Sequence, residues 1–378
     1  MIKLIFAFVA FICSISSPLM SNDLDSALLK KSEYVAKELR ASESFYDQIA
    51  GAGILLELGD KDSLRYLVEN IIHTDWVLMR SAIDTLLSSQ HPSGVDAMYR
   101  AMETVDDPIF RKFLAESLAN KATDDMHPFL IDMVSSEDEW VRKHAMQALD
   151  RINFDGKEDL MRKLAYDSTN DIMIRAYAFM SLLSFDNSKK HLESILRIGS
   201  QRGDSASQEA AAVGLGRIDN PKSRKALAAL RKEGSPMVSI AALSSEVGLG
   251  IEDSRNLLIK IILEGKGLDP SVASASIKRL PRSEAVSISN ELFNCCVLSS
   301  DTGTRLLESW SVLGNPPDRV YDWGLANDNA DIQLQAVWLV GYTNSVQHLD
   351  KIVDFLNSND MTLKAMAAWS IVRLLLNK

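Results

Sequence analysis

Apolar and polar positions along the chain follow a helical period that breaks at short, regular intervals. In residues 206–218 small and apolar side chains run into Leu215, and Asp-Asn-Pro at 219–221 then precedes a stretch with leucines three residues apart. Proline suits the first turn of a helix, so Pro221 marks the start of a new one. Apolar spacing of three and four residues on both sides predicts two amphipathic helices joined by a tight turn.

One position in the second helix of such a pair recurs through the chain at steps of 27 to 34 residues. A repeat of this length predicts stacked helix pairs, because no single pair can bury its apolar stripe alone. The predicted fold class is therefore all-α, a right-handed solenoid of about ten or eleven helix pairs. The recurring positions are Ala52, Ile83, Leu114, Ala145, Ala178, Ala211, Ala242, Ser276, Ser309, Ala336 and Ala367.

The sequences VRKHAMQAL at 141–149 and AAAVGLGRIDNPKSRKAL at 210–227 resemble the HEAT-repeat family, and in particular its short phycobilisome-lyase-type variant. The resemblance extends over residues 45–378 and implies an α-solenoid. That family includes scaffolds, assembly factors, lyases, hydroxylases and DNA-repair proteins, so the resemblance by itself selects no activity.

The same resemblance implies a ladder of Asp and Arg side chains between neighbouring units, in which each Asp also caps its helix. Recognition of an anion by the four arginines is the alternative interpretation. The predicted ladder consists of Arg80, Arg111, Arg142 and Arg175 with Asp107, Asp138 and Asp171.

The N-terminus carries Lys3 followed by an unbroken apolar stretch from Leu4 to Cys13. Such a stretch is too short to span a bilayer and is typical of a secretory signal peptide. We predict a cleaved signal at 1–21, a capping helix at 22–44 and the solenoid at 45–378; an uncleaved anchor and an interaction arm at 22–44 are the alternatives. Because the chain has no Asn-x-Ser/Thr acceptor, export to a bacterial periplasm is the predicted location.

The net charge of -10 disfavours nucleic acid and anionic lipid as partners, and with them a DNA-repair-like solenoid. Signal cleavage would leave Cys295 and Cys296 as the only cysteines. Adjacent residues of a helix point about 100° apart. Two buried thiols that do not bond to each other are therefore expected, with a redox site as the alternative.

Signatures of catalysis and of metal binding are missing from the sequence. None of the six histidines is followed by Glu, no two are four residues apart, and neither a Gly-x-Ser-x-Gly motif nor a phosphate-binding loop occurs. We therefore expect no cofactor, no metal and no enzymatic activity. A lyase-type enzyme or an enzyme-specific maturation factor is the alternative that the resemblance suggests.

Four of the six tryptophans lie after residue 309. Trp338 and Trp369 lie two residues after the recurring position in the last two units, so they belong to one column of neighbouring second helices. With Tyr342 and Arg373 they form the candidate protein-binding surface, because aromatic residues and Arg are favoured anchors in interfaces. Closure of the core of a terminal unit is the competing explanation. The predicted function is an exported, non-catalytic scaffold or adaptor for a protein partner.

Overall fold

The computed structural model describes residues 17–186, 188–201, 204–265 and 268–377, with side chains from residue 23 onward. Residues 1–16, most of the predicted signal, lie outside this range. The described residues contain no strand and form 22 α-helices: α1 Ser17–Arg40, α2 Phe45–Glu57, α3 Lys61–Asn70, α4 Trp76–Ser88, α5 Pro92–Thr104, α6 Pro108–Lys121, α7 His127–Val134, α8 Glu139–Arg151, α9 Lys157–Tyr166, α10 Ile172–Leu182, α11 Lys189–Gly199, α12 Ser205–Leu215, α13 Pro221–Glu233, α14 Pro236–Gly248, α15 Glu252–Glu264, α16 Pro270–Ala275, α17 Arg282–Cys295, α18 Ser300–Leu313, α19 Asp318–Leu325, α20 Ala330–Tyr342, α21 Leu349–Ile352 and α22 Met361–Leu376.

The helix starts follow the local chemistry of the sequence. Aspartate carboxylates accept backbone N–H groups at the first turns of α4, α6, α8, α10, α12, α16 and α22. Proline opens α6, α13, α14 and α16, where its missing N–H would have had no partner in the helix. The prediction of paired helices separated by these residues is confirmed.

The recurring position lies in the core of each helix pair. All eleven of its residues are at most 4% exposed. They lie on second helices such as α8, α10 and α12, which pack against one another from unit to unit. This shared core confirms the all-α solenoid, with helix pairs stacked through their second helices.

Glu246 occupies a position where most units have Leu, and it is only 2% exposed. Its carboxylate lies 2.7 Å from Arg231 Nε and accepts a 2.7 Å hydrogen bond from Ser254 Oγ. Burial of the Glu246 carboxylate is tolerated because Arg231 of α13 and Ser254 of α15 both bind it.

Two compact units divide the chain. Unit 1 comprises residues up to Met98 together with Ala336–Lys378, and so it is built from both ends of the sequence. Within it, α1 packs against α2 and also against α22. Lys31 Nζ donates a 2.5 Å hydrogen bond to Asn357, and Lys364 pairs with Glu38 at 3.2 Å. The helix predicted at 22–44 begins at Ser17 and ends at Arg40. It packs between helices from the two ends of the sequence, α2 and α22.

Unit 2 comprises Tyr99–Gln335. Its second helices include α6, α8, α10, α12 and α14, followed by α16 with the short 3-10 helix Ser276–Arg279. The candidate site described below lies entirely in this unit.

The cysteine prediction was wrong. Cys295 is exposed and ends α17, while Cys296 has left the helix with φ -151° and ψ 150°. The two Sγ atoms are joined as a disulfide. The 100° argument failed because it assumed that both residues are helical.

Among the described residues, no helix combines the length and the apolar character that a membrane span requires.

Candidate functional site

A cleft of about 870 Å³ opens in unit 2 at the N-terminal ends of α8, α10 and α12. The capping residue of each of these helices contributes to its wall. The lining residues are Lys112, Asp138, Glu139, Trp140, Arg142, Lys143, Asp171, Ile172, Met173, Asp204, Ser205 and Ala206.

The charged side chains of the cleft are held in place by one another. Arg142 Nε lies 2.9 Å from Asp171 Oδ2, and its Nη1 donates to the carbonyl oxygens of Ser136 and Glu137 at 2.8 Å each. Burial alone would raise the pKa of Asp138, but hydrogen bonds from backbone N–H groups and the charge of Lys112 lower it. Arg142, Asp171 and Asp138 on the rim of the cleft are therefore each held by defined partners.

Trp140 forms an aromatic wall of the cleft and is 43% exposed. Its ring lies 4.4 Å from the ring of His144, whose Nδ1 is 2.8 Å from the Trp140 carbonyl oxygen. Burial lowers the pKa of His144, so this ring is neutral at pH 7 and supports the indole without adding charge. An exposed, braced indole beside fixed charges is suited to hold an apolar side chain of a partner.

Lys143 links the cleft to the inner face of unit 2, the face made by its second helices. Glu209, only 4% exposed, accepts from Lys143 Nζ at 2.9 Å and from Arg279 Nη2 at 2.5 Å. Burial works against its ionisation, but the charges of Arg279 and Lys143 outweigh this and lower the pKa of Glu209 to about 2. The Glu209 carboxylate on α12 thus connects a second helix two helix pairs earlier in the sequence with one two helix pairs later.

Further polar bridges cross the same face. Arg217 binds Asp150 through two hydrogen bonds of 2.6 and 3.1 Å. Lys278 Nζ donates to Asn120 Oδ1 at 3.1 Å, although the two residues are 158 positions apart in the sequence. The middle of the inner face is therefore bridged by its own side chains, and the cleft lies beside these bridges.

The four residues predicted to bind a partner all lie in unit 1 and meet in two pairs. The rings of Trp338 and Tyr342 stack at 4.7 Å, and the Arg373 guanidinium lies 4.5 Å above the Trp369 ring. The three rings are half-buried. Arg373 is only 3% exposed and donates to the Ser88 carbonyl oxygen, so the expectation of an accessible cation at this position was wrong.

The predicted ladder is present in part. Arg142 and Asp171 form one rung, whereas Lys112 takes the place of Arg111 opposite Asp138 at 3.5 Å. Asp107, Asp138 and Asp171 cap their helices as predicted. The remaining arginines have contacts other than the predicted rungs. Arg111 lies near Asp106 and Asp132, Arg80 lies near Asp84, and Arg175 donates to the Ala165 carbonyl oxygen.

Sequence reasoning overlooked the exposed aromatic residues at the starts of the second helices. Besides Trp140, unit 1 has Phe45 and Trp76 directly after capping residues, 56% and 57% exposed. The available signal was an aromatic residue within two positions of the capping Ser or Asp, where the side chain projects past the core-facing stripe.

Within the described ranges, no group of three or more His, Cys, Asp and Glu side chains is arranged to hold a metal ion.

Comparison with known proteins gives a family match for part of unit 2. Residues 100–182 match the family model for HEAT repeats, and the helix pairs of this region share the buried column described above. Residues 100–182 therefore carry HEAT repeats. A comparison with curated protein sequences found no match.

Solved structures similar to this chain include an engineered protein at 15% identity, with 91% of this chain and 98% of that one covered and a TM-score of 0.27. Kap121p covers 89% of this chain at 9% identity with a TM-score of 0.33. UNC-45 from Drosophila melanogaster covers 91% at 14% identity with a TM-score of 0.27. The match spans 52% of the Kap121p chain and 63% of the UNC-45 chain.

Proposed function

We propose that this protein is an exported, non-catalytic scaffold that holds a protein partner in the cleft of unit 2. The observation that carries the proposal is the exposed Trp140 in a recess where Arg142, Asp171 and Lys143 are already paired. HEAT-repeat solenoids offer extended surfaces for protein binding.

Preorganisation favours this cleft as the binding region. Arg142 and Lys143 are 19% and 21% exposed and already engaged with Asp171 and Glu209, so little side-chain entropy remains to be lost when a partner docks. Trp140 supplies the apolar anchor and Ile172 a second apolar surface. The net charge of -10 favours a protein over nucleic acid as the partner.

Export is proposed from the apolar stretch at 4–13 and the small residues that follow it. The disulfide between Cys295 and Cys296 is compatible with an oxidising compartment. Cell fractionation with mass measurement of the N-terminus tests this part: a periplasmic protein lacking about 21 residues supports it, and a cytoplasmic protein that starts at Met1 contradicts it.

The lyase-type alternative is not favoured, because the family match over residues 100–182 is to HEAT repeats in general and the lyase-type variant rests on the sequence resemblance alone. Turnover of a tetrapyrrole-protein substrate by the purified chain would reinstate it.

The decisive experiment is affinity capture of the tagged mature protein from its native envelope fraction, with three variants in parallel. Trp140→Ala should lose a stoichiometric partner that the wild type retains. Tyr34→Ala, which removes an aromatic side chain 68% exposed in unit 1, is the matched control and should retain it. Loss of the partner only in the Trp338→Ala/Trp369→Ala double variant would contradict the cleft and assign the binding surface to the C-terminal tryptophans.

A further inference from the structure

The disulfide between Cys295 and Cys296 lies at the surface of unit 2, in the turn that joins α17 to α18. Cys295 is an exposed residue, Cys296 is half-buried, and the side chain of Val297 that follows them is fully exposed. None of these three residues lines the cleft. A reagent in solution can therefore approach the bond from the side of Cys295.

The chain on either side of the pair is held by contacts that do not involve the bond. Leu292, three residues before Cys295, is fully buried, and the ring of Phe293 stacks on Trp323 of α19 with 4.4 Å between the centroids. Leu298 is 6% exposed, and the next residue, Ser299, caps α18. Opening of the bond therefore affects the short turn between these contacts and leaves both helices packed.

A bond between sequence neighbours adds little to the stability of the fold. A disulfide stabilises mainly by restricting the unfolded chain, and this effect grows with the length of the loop that it closes. The two cysteines are adjacent in the sequence, so the bond closes no loop between distant parts of the chain. It holds Cys296 outside α17, because adjacent helical residues point about 100° apart. The bond therefore constrains the turn and is not needed to hold unit 2 together.

We propose that the pair Cys295 and Cys296 is a reversible redox site that exchanges with a thiol, carried either by a small molecule or by a protein. Exposed disulfides are typical of the labile and regulatory class, whereas structural disulfides resist reduction. This site goes beyond the scaffold function proposed above and does not depend on the partner of the cleft.

The exchange takes place in two balanced steps. A thiolate attacks Sγ of Cys295, the more exposed cysteine, and forms a new S–S bond with it. The bond to Cys296 breaks at the same time, and its electron pair leaves with Cys296 Sγ, which takes up a proton. A second thiolate then attacks the sulfur of the first thiol in this mixed disulfide and releases the Cys295 thiolate, which is protonated in turn. Two thiols are thus oxidised to one disulfide while the pair is reduced to two thiols, and a disulfide of the same class drives the reverse reaction.

Incubation of the mature protein with reduced glutathione and, separately, with reduced thioredoxin at equal thiol concentration tests the proposal. Acid quenching, alkylation and peptide mass mapping give the reduced fraction at residues 295 and 296. Both residues should become alkylated together, and oxidised glutathione should restore the disulfide. Faster reduction by glutathione would assign the thiol to a small molecule, and faster reduction by thioredoxin would assign it to a protein. A pair that neither reagent reduces, or that does not reoxidise, would overturn the proposal.

Two single variants form a matched pair that identifies the attacked sulfur. Cys296→Ser leaves the exposed Cys295 alone, and Cys295→Ser leaves the half-buried Cys296 alone. With oxidised glutathione, Cys296→Ser should form its mixed disulfide faster than Cys295→Ser, because exposure of the sulfur favours the reaction. Equal rates, or the reverse order, would contradict attack at Cys295.

Thermal unfolding separates the redox role from a structural one. The double variant Cys295→Ser/Cys296→Ser should keep the wild-type Tm, and the wild type should unfold at the same temperature with and without reductant, because the bond restricts the unfolded chain so little. A double variant with a clearly lower Tm would give the bond a structural role and overturn the proposal.

Discussion

Glu209 and Arg279 lie 70 positions apart in the sequence, yet Arg279 Nη2 donates to Glu209 Oε1 at 2.5 Å on the inner face of unit 2. Lys143 Nζ lies 2.9 Å from the other oxygen of the same carboxylate, Oε2. This buried carboxylate therefore connects α8, α12 and the 3-10 helix at 276–279.

Replacement of Glu209 by Gln should destabilise unit 2 by about 3 kcal/mol at pH 7, because Lys143 and Arg279 lose their shared counter-charge. Chemical denaturation measures the change in the free energy of unfolding. Glu158→Gln, in an exposed pair with Arg162 on α9, is the control and should leave the denaturation midpoint unchanged. Equal midpoints for Glu209→Gln and the wild type would contradict the bridging role.

The Glu209 carboxylate also predicts how the free energy of unfolding of unit 2 changes with pH. Its pKa of about 2 in the folded protein lies below the value of about 4.3 expected in the unfolded chain. The contribution of Glu209 is therefore fully present above about pH 4.3 and is lost as the pH falls towards 2. The difference in stability between wild type and Glu209→Gln should shrink over this window, as denaturation at several pH values would show.

Leu39 of α1 is 2% exposed, and α1 packs against both α2 and α22. Leu39→Ala should cost about 3 kcal/mol, through lost burial and the cavity left behind. Leu24→Ala removes the same atoms from a residue of α1 that is 57% exposed, so it should cost far less. Thermal unfolding of both variants compares them directly. Equal Tm values would mean that α1 does not contribute to the core of unit 1.

Gly341 of α20 allows a close approach to α22. A Cβ atom added there would lie 2.6 Å from Ser370 Cα, which is backbone and cannot easily move aside. Gly341→Ala should therefore destabilise unit 1 by about 2 kcal/mol despite the better helix propensity of Ala. Gly248→Ala is the control, since its Cβ would meet Pro281 at an ordinary 3.5 Å. A Gly341→Ala protein as stable as wild type would contradict this contact.

The bond between Cys295 and Cys296 predicts that neither residue offers a thiol for alkylation until the protein is reduced. Peptide mass mapping after iodoacetamide treatment should show no adduct at these two residues without reductant and an adduct at each after reduction. Two adducts without reductant would restore the expectation of free thiols.

Sequence alone predicted much of the local structure. Asp138 and Asp171 cap helices because a carboxylate can reach the free N–H groups of a first turn, and that is a short-range property. The column from Ala52 to Ala367 is buried because its period places those residues on the face that each second helix turns towards its neighbours. The alternation of helices, their pairing and the core followed from these two effects.

Only the tertiary structure decided which distant side chains meet. A repeat fixes the position of a residue along the stack, but small rotations between successive pairs accumulate and set the distance across the inner face of unit 2. The bridges from Lys278 to Asn120 and from Glu209 to its two cations depend on that accumulated curvature, which leaves no local signal. The packing of α1 against α22 and the hydrogen bond from Arg373 to Ser88, both within unit 1, also join residues far apart in the sequence and have no local signal.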